Sequence, residues 1–387
     1  MRLFFTLFIF IFSIGSVVAQ QIKLSSNAEV SILTVGPGKS LNDAFGHNAF
    51  RVTDKSLGID VTYGYGEYDF DAPNFYLKFA RGKLNYLISR HNYSDFYNHY
   101  VHYNRTVKEQ VLNFSQTEKQ ALFDFLENNY KPENRRYLYD FFFDNCATRI
   151  RDVSQSVTAN PITFNKPEIF EPKTFRELIY EHVDKNSWGS FGIDLALGSV
   201  IDQNASSNEF MFLPKYIHQF FLNASYNGSD SIVKRSSIVY NKKPEKDTLN
   251  FLLSPLFINS LFGFIIIFIT FKNHKNNSRS KWLDIALFSA TSIVGILLFL
   301  LWFATDHSAT ANNYNLLWAF PLNFIIIGQL AKNTMKNWVK GYLKFLIIML
   351  CLMTLHWLIG VQVFAVGLLP IVIALSVRYI YLVRNFN

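Results

Sequence analysis

The sequence predicts an exported α+β domain followed by an all-α membrane bundle of about five helices. Three observations carry this. The chain opens on Arg2 and an apolar run from Leu3 to Ile14, then the small residues Val17-Val18-Ala19, which is the pattern of a signal peptide over residues 1–19. Residues from about Gln20 to Asn250 mix polar and aromatic side chains, enough for one sizeable core. From Phe251 onward the chain becomes apolar in stretches of roughly bilayer length. No cysteine follows the cleavage site immediately, so no lipid anchor is expected there.

The membrane stretches are expected at Phe251–Phe271, Trp282–Phe303, Leu316–Leu330, Gly341–Leu358 and Val361–Val383. Lys272, Lys275, Arg279 and Lys281 flank the first connection, Lys332, Lys336 and Lys340 the third, and Arg378 and Arg384 the tail. The second connection, Ala304 to Asn315, has no Lys or Arg. That alternation follows the positive-inside rule and sets the tail in the cytoplasm, with the Gln20–Asn250 domain outside an inner membrane. Lys242, Lys243 and Lys246 run against the rule, but long exported domains cross largely regardless of charge. The formal net charge of +8 partly reflects this loop bias, and no nucleic-acid motif accompanies it.

The exported part is expected to divide into a core at residues 28–156, a helical extension at 157–227 and a polar linker at 228–250, before the membrane part at 251–387. Glu29–Val35 alternates and ends at Gly36-Pro37-Gly38, a strand and a turn. Ala44–Thr53 and Ile59–Tyr65 follow as strands, and Pro73–Phe79 as a short helix. Arg105–Phe114 looks extended, and Ser115-Gln116-Thr117-Glu118 is a capping box that opens a helix to about Asn129. Tyr137–Phe143 is expected as the strand that delivers Cys146 to the start of a helix.

Cys146 is the only cysteine of the exported part. An unpaired thiol in an oxidising compartment is a hazard unless it is used. The bland alternative is a small buried hydrophobe. A helix start offers free amides and a positive dipole end, which are expected to lower the thiol pKa and favour the thiolate. Its base is expected to be His47 in Phe45-Gly46-His47, although a Gly-His pair alone also fits a satisfied core histidine. A third group usually fixes the imidazole tautomer, and the next strand offers Asp60, Thr62 and Tyr63 without a choice among them. The Cys146 amide can serve an oxyanion, while Asp144 and Asn145 suit helix capping better. Arg149 and Arg151 can meet a phosphate or simply face solvent. Asp306 and His307, in the outer loop, can position a substrate or form plain polar loop. His99 and His102 have helical spacing and can join His47 on a metal, but no cysteine or HExxH motif supports that, and neither a metal nor a cofactor is called for. His356 suits a helix–helix hydrogen bond, and Cys351 inert packing.

Together Val35-Gly36-Pro37-Gly38, Phe45-Gly46-His47, Tyr63-Gly64-Tyr65-Gly66, Asn74-Phe75-Tyr76-Leu77-Lys78-Phe79 and Tyr139-Asp140-Phe141-Phe142-Phe143-Asp144-Asn145-Cys146-Ala147-Thr148-Arg149 resemble the exported domain of the Bacteroidota-type lipoprotein N-acyltransferases. The resemblance continues through Leu195-Ala196-Leu197-Gly198, Phe212-Leu213-Pro214, Thr305-Asp306-His307 and Asn315-Leu316-Leu317-Trp318. It implies a permuted papain-like (NlpC-type) fold in which the histidine strand precedes the cysteine helix. It also implies Asn where this chain has Gly64, so an orienting side chain is missing at that position. The activity implied is transfer of a fatty acyl chain from a phospholipid donor, through a Cys146 thioester, to the N-terminal amine of a diacylated lipoprotein. Three rivals stand beside it. A periplasmic cysteine peptidase or amidase acting on cell-wall peptides would use the same pair, a phospholipase would substitute water for the amine, and a non-enzymatic membrane scaffold would use neither.

Overall fold

A computed structural model describes residues 22–245 and 250–385. The expected signal peptide at residues 1–19 lies outside the described residues.

Among the described residues, seven antiparallel strands form the main sheet, in the order β10-β5-β1-β2-β3-β4-β6. They are β1 (Glu29–Val35), β2 (His47–Asp54), β3 (Ile59–Tyr68), β4 (Asn85–Asn92), β5 (Val107–Leu112), β6 (Arg136–Leu138) and β10 (Val233–Tyr240). A small second sheet joins β7 (Ile162–Phe164), β8 (Ala224–Tyr226) and β9 (Asp230–Ser231). β1 sits centrally, and every residue of it after Glu29 is buried, because helices cover both faces. On one face Val30, Ile32, Phe50, Val52 and Tyr63 pack with Leu122, Leu126, Ile150 and Val153 from the helices Gln116–Tyr130 and Cys146–Val157. On the other, Leu33, Val35 and Ala49 meet Phe96 from the helix Tyr93–His102.

The helix Gln116–Tyr130 starts at a reciprocal cap: Ser115 accepts from the Glu118 N–H while the Glu118 carboxylate accepts from the Ser115 N–H. The expected strand Tyr137–Phe143 is cut to Arg136–Leu138. The Asp140 carboxylate captures the Phe142 and Phe143 amides at 2.8 and 3.0 Å, so the chain turns before it can extend. The expected linker at 228–250 is also corrected. Its polar residues Val233–Tyr240 form the edge strand β10 on β5, where one face looks to solvent and needs no apolar pattern.

Among the described residues, four helices are long and apolar enough to cross a membrane: Pro255–Lys275, Lys281–Phe303, Trp338–Leu358 and Val366–Arg384. The expected third span is broken into short turns at Tyr314–Leu317 and Pro321–Asn323 and a short helix, Phe324–Leu330. Pro321 removes an amide donor there. Gly295 on the preceding helix lets this irregular backbone approach, since a Cβ on it would stand 2.1 Å from the Ala319 oxygen. Ser292 donates to the Pro321 carbonyl at 2.8 Å, which satisfies a backbone acceptor at the break, and the fully buried Asn323 side chain bridges Thr291 and Tyr342. At the Arg279 end, buried Asp284 holds Arg279 and Arg378 at 2.8 and 2.7 Å.

The two halves meet through named backbone contacts. Asn313 donates to the Leu195 and Ala196 carbonyls, and Asn315 to the Asp194 carbonyl. Gly198 and Ser199 donate to the Ala309 and Asn312 carbonyls. Behind this joint, buried Arg176 pairs with Asp194 and Asp202, each at 2.7 Å, and donates to the Leu197 and Gly198 carbonyls. The Leu195–Gly198 and Thr305–Asn315 motifs are therefore two sides of one contact.

Candidate active site

Local sequence explains how each reactive side chain is presented. Gly46 has φ of +85°, and a Cβ there would stand 2.6 Å from the Val35 oxygen. Only glycine lets the chain turn so tightly into β2, whose first residue is His47. Cys146 is the first residue of its helix. Asn145 caps that helix, accepting from the Ala147 and Thr148 amides at 2.7 and 3.0 Å. The Thr148 hydroxyl accepts from the Asn145 N–H in return. The Asn145 amide group also donates to the Phe212 carbonyl at 2.9 Å, which ties the Phe212-Leu213-Pro214 motif to the thiol helix.

The helix that begins at Cys146 packs against β2, which begins at His47. The backbone amides of Asn48, next to His47, and of Cys146 and Ala147 favour the Cys146 thiolate. These contacts and the Arg105 charge draw the thiol pKa down, but burial outweighs them and pushes it up to about 11. The expectation of a thiol activated by its helix start is corrected: the amides act as expected, and desolvation wins. Burial pulls His47 down to about 4, Arg105 adds to that, and Asp43 opposes it. Near neutral pH the thiol is therefore protonated and the imidazole uncharged.

The edge of the imidazole carrying Nε2 faces Gly64. A Cβ on Gly64 would stand 3.1 Å from His47 Nε2 and 3.3 Å from the Ser89 hydroxyl oxygen. The three residues offered by sequence as a third member are engaged elsewhere. Asp60 holds Arg51 through two contacts of 2.8 Å. Thr62 donates to the His91 carbonyl. Tyr63 turns to the opposite face of the sheet and donates to Glu127. Alternation puts Tyr63 on the far face, while Asp60 and Thr62 share the ring's face but stand opposite Thr53 and Arg51, farther along β2 from His47.

Arg149 is held in a fork by Asp144 at 2.5 and 2.6 Å and lies 4.4 Å from the centre of the Tyr137 ring. Arg151 pairs with Asp152 and the Asn208 carbonyl. Asp306 donates its N–H to the Arg81 carbonyl and pairs with Lys83 at 3.4 Å. A His307 ring nitrogen, Nε2, lies 3.2 Å from the Phe79 carbonyl. These two residues thus dock the outer loop on the periplasmic domain. His99 and His102 pack on Tyr103, and among the described residues no cluster of three or more His, Cys, Asp or Glu is arranged to hold a metal.

Sequence reasoning missed Arg105. Its side chain is buried, bonded to the Gly36 carbonyl and to Asp43, each at 2.9 Å, and lies 4.9 Å from the centre of the Tyr100 ring. Its Nη2 has no hydrogen-bond partner among the described residues. Nothing in the surrounding Tyr103-Asn104-Arg105-Thr106 distinguishes it from a surface arginine. Asn48, Tyr100 and Ser89 were missed for the same reason.

Residues 17–181 match the family described as the Lnb N-terminal periplasmic domain, and residues 245–386 match the Lnb transmembrane domain. No curated protein and no solved structure matches the chain. A periplasmic domain of mixed sheet and helices followed by a membrane bundle, each matched in its own half, places the chain in the Lnb lipoprotein N-acyltransferase family.

Proposed function

We propose that the protein moves a fatty acyl chain from a phospholipid, through a Cys146 thioester, to the α-amine of a lipoprotein's N-terminal cysteine. The observation that supports this reading is that the helix beginning at Cys146 packs against β2, which begins at His47, in a domain docked on a membrane bundle. His47 takes the thiol proton as sulfur attacks the acyl ester carbonyl. The amides around the sulfur are placed to steady the developing oxyanion. Collapse breaks the ester C–O bond, and His47 returns the proton to the departing lysophospholipid oxygen. The lipoprotein amine then attacks the thioester, His47 accepts its proton, and the Cys146 thiol is restored. With both groups neutral at rest, proton transfer is coupled to attack, and dry surroundings keep water from competing for the thioester.

The imidazole edge at Gly64 fits a permuted papain-like arrangement in which a third group orients the ring from that side. Ser89 is the polar group present there. The catalytic unit runs from residue 20 to Tyr240, including β10, and the membrane unit from about Phe251. Lysines and arginines gather at the Arg279 and Lys332–Lys340 end, opposite the docked outer loop, which supports an inner-membrane location with a cytoplasmic C-terminus.

The deciding experiment is mass spectrometry of lipoprotein N-termini in a deletion strain carrying either the native chain or Cys146→Ala. The native chain is expected to restore the third acyl group, and Cys146→Ala to leave only diacylated forms. Normal N-acylation with Cys146→Ala would refute the mechanism. Release of free fatty acid without amine acylation would favour a phospholipase, and cleavage of cell-wall peptides a peptidase.

A further inference from the structure

The short helix Phe75–Ala80 buries none of its residues, and its aromatic side chains look outward. Tyr76 is 85% exposed, Phe70 beside it 73%, and Leu77 and Phe79 are also exposed. An apolar patch of this kind marks a docking surface. Its position identifies what docks. The Arg81 and Phe79 carbonyls are bonded by Asp306 and His307, which directly follow the membrane helix Lys281–Phe303. Gly82, with φ of +69°, permits this: a Cβ there would stand 3.1 Å from the His307 nitrogen. The patch is thus tied to the end of a membrane span, at the level where aromatic and cationic side chains settle in a bilayer. Lys78 and Arg81 lie within it.

A continuous series of rings leads inward from this patch. Tyr76 touches Phe75 with centroids 5.3 Å apart, Phe75 meets Tyr68 at 6.1 Å, Tyr68 meets Tyr86 at 4.9 Å, and Tyr86 stacks on Tyr139 at 4.2 Å. Tyr139 lies against Gly66, where a Cβ would stand 3.6 Å from its ring, two residues along β3 from the Gly64 that faces His47. Asp140, the next residue, accepts from Ser308 of the same outer loop at 3.2 Å. Both ends of the series are therefore fastened to one membrane loop.

We infer that the helix Phe75–Ala80 lies in the periplasmic leaflet and that the rings from Tyr76 to Tyr139 form the path along which a phospholipid acyl chain reaches Cys146. This rests on the acyl-transfer reading for its substrate. The membrane contact rests on geometry alone. Apolar burial favours a long chain on such a track by roughly 0.8 kcal/mol per methylene.

Two measurements test it on the full chain. In the first, Tyr76→Cys is spin-labelled in a Cys146→Ala, Cys351→Ser background and reconstituted in phospholipid nanodiscs, with Ile169→Cys, at an 89% exposed site, as reference. The Tyr76 label is expected to meet dissolved oxygen more than a water-soluble nickel chelate, and the Ile169 label the reverse. Equal nickel access at both sites would overturn the membrane contact. In the second, Tyr68→Asp sets a charge on the path. The ratio of Cys146 acylation by long-chain phospholipid to that by a short-chain p-nitrophenyl ester is expected to fall roughly tenfold or more. An unchanged ratio would overturn the path, and because a ratio is read, general misfolding does not imitate the result. If the native chain forms no acyl-Cys146 with any donor, the acyl-transfer reading fails, and with it the path. The spin-label result still decides the membrane contact.

Discussion

The Gly198 N–H donates to the Ala309 carbonyl at 2.9 Å, and a Cβ on Gly198 would stand 1.9 Å from the Ala311 oxygen. The periplasmic and membrane halves approach backbone to backbone here, with no room for a side chain. Gly198→Ala is expected to open the joint. Acyl transfer in proteoliposomes should fall roughly tenfold or more, because the thiol no longer stands at a fixed place relative to the lipid. Iodoacetamide labelling of Cys146 should persist, since the thiol's own neighbours are elsewhere. Equal loss of both would place the damage in folding instead.

Burial sets the reactivity of Cys146. With its pKa pushed up to about 11, alkylation in a Cys351→Ser background is expected to keep rising about tenfold per pH unit from about pH 8 to about pH 10. A plateau below about pH 9 would show a thiol activated at rest.

His47 titrates in the opposite sense. Its folded-state pKa lies near 4, below the unfolded value of 6.5, so the unfolded chain binds the extra proton between the two. Its contribution to stability is complete above about pH 6.5 and is lost as pH falls toward about 4. Denaturant midpoints should drop across that window in the native chain and less in His47→Gln. The acid limb of kcat/KM is likewise expected below the ordinary imidazole range, because the base stays neutral.

Arg105 acts on both reactive groups, drawing the thiol pKa down and disfavouring imidazolium. Arg105→Gln should slow Cys146 alkylation at pH 8 by several-fold to roughly tenfold. Arg105→Lys should recover part of that through its charge. Equal rates for the two variants would mean that the fork to Gly36 and Asp43 matters and the charge does not.

Gly64 guards the far edge of the imidazole. A Cβ placed 3.1 Å from Nε2 is tighter than an ordinary contact, so Gly64→Ala must shift the ring. kcat is expected to fall roughly tenfold or more, with a smaller change in KM, since the ring acts on the reacting atoms and not on lipid binding. Ser89→Ala should reduce kcat less, since it leaves the ring in place.

Much of this protein is legible along the chain. Periodicity and capping set strands such as Glu29–Val35 and the helix Gln116–Tyr130, because each depends on nearby residues. The apolar lengths after Phe251 announced a membrane half, because bilayer thickness is a property of the solvent and not of the fold. Cys146 and His47 stood out by residue type and by the glycine and cap beside them. Tertiary structure decided the rest. It broke the third span at Pro321 and Asn323, since irregular backbone survives in a bilayer only where neighbours such as Ser292, which donates to the Pro321 carbonyl, satisfy it. It made β10 from a polar segment, because an edge strand needs a partner's backbone more than an apolar face. It set Gly64, whose carbonyl accepts from Ser89, against the imidazole, engaged Asp60, Thr62 and Tyr63 elsewhere, and brought in Arg105 from a distant turn. The thiol's resting state was also decided there: helix-end amides are local and readable, whereas desolvation is the sum of everything packed around a group, and here it prevails.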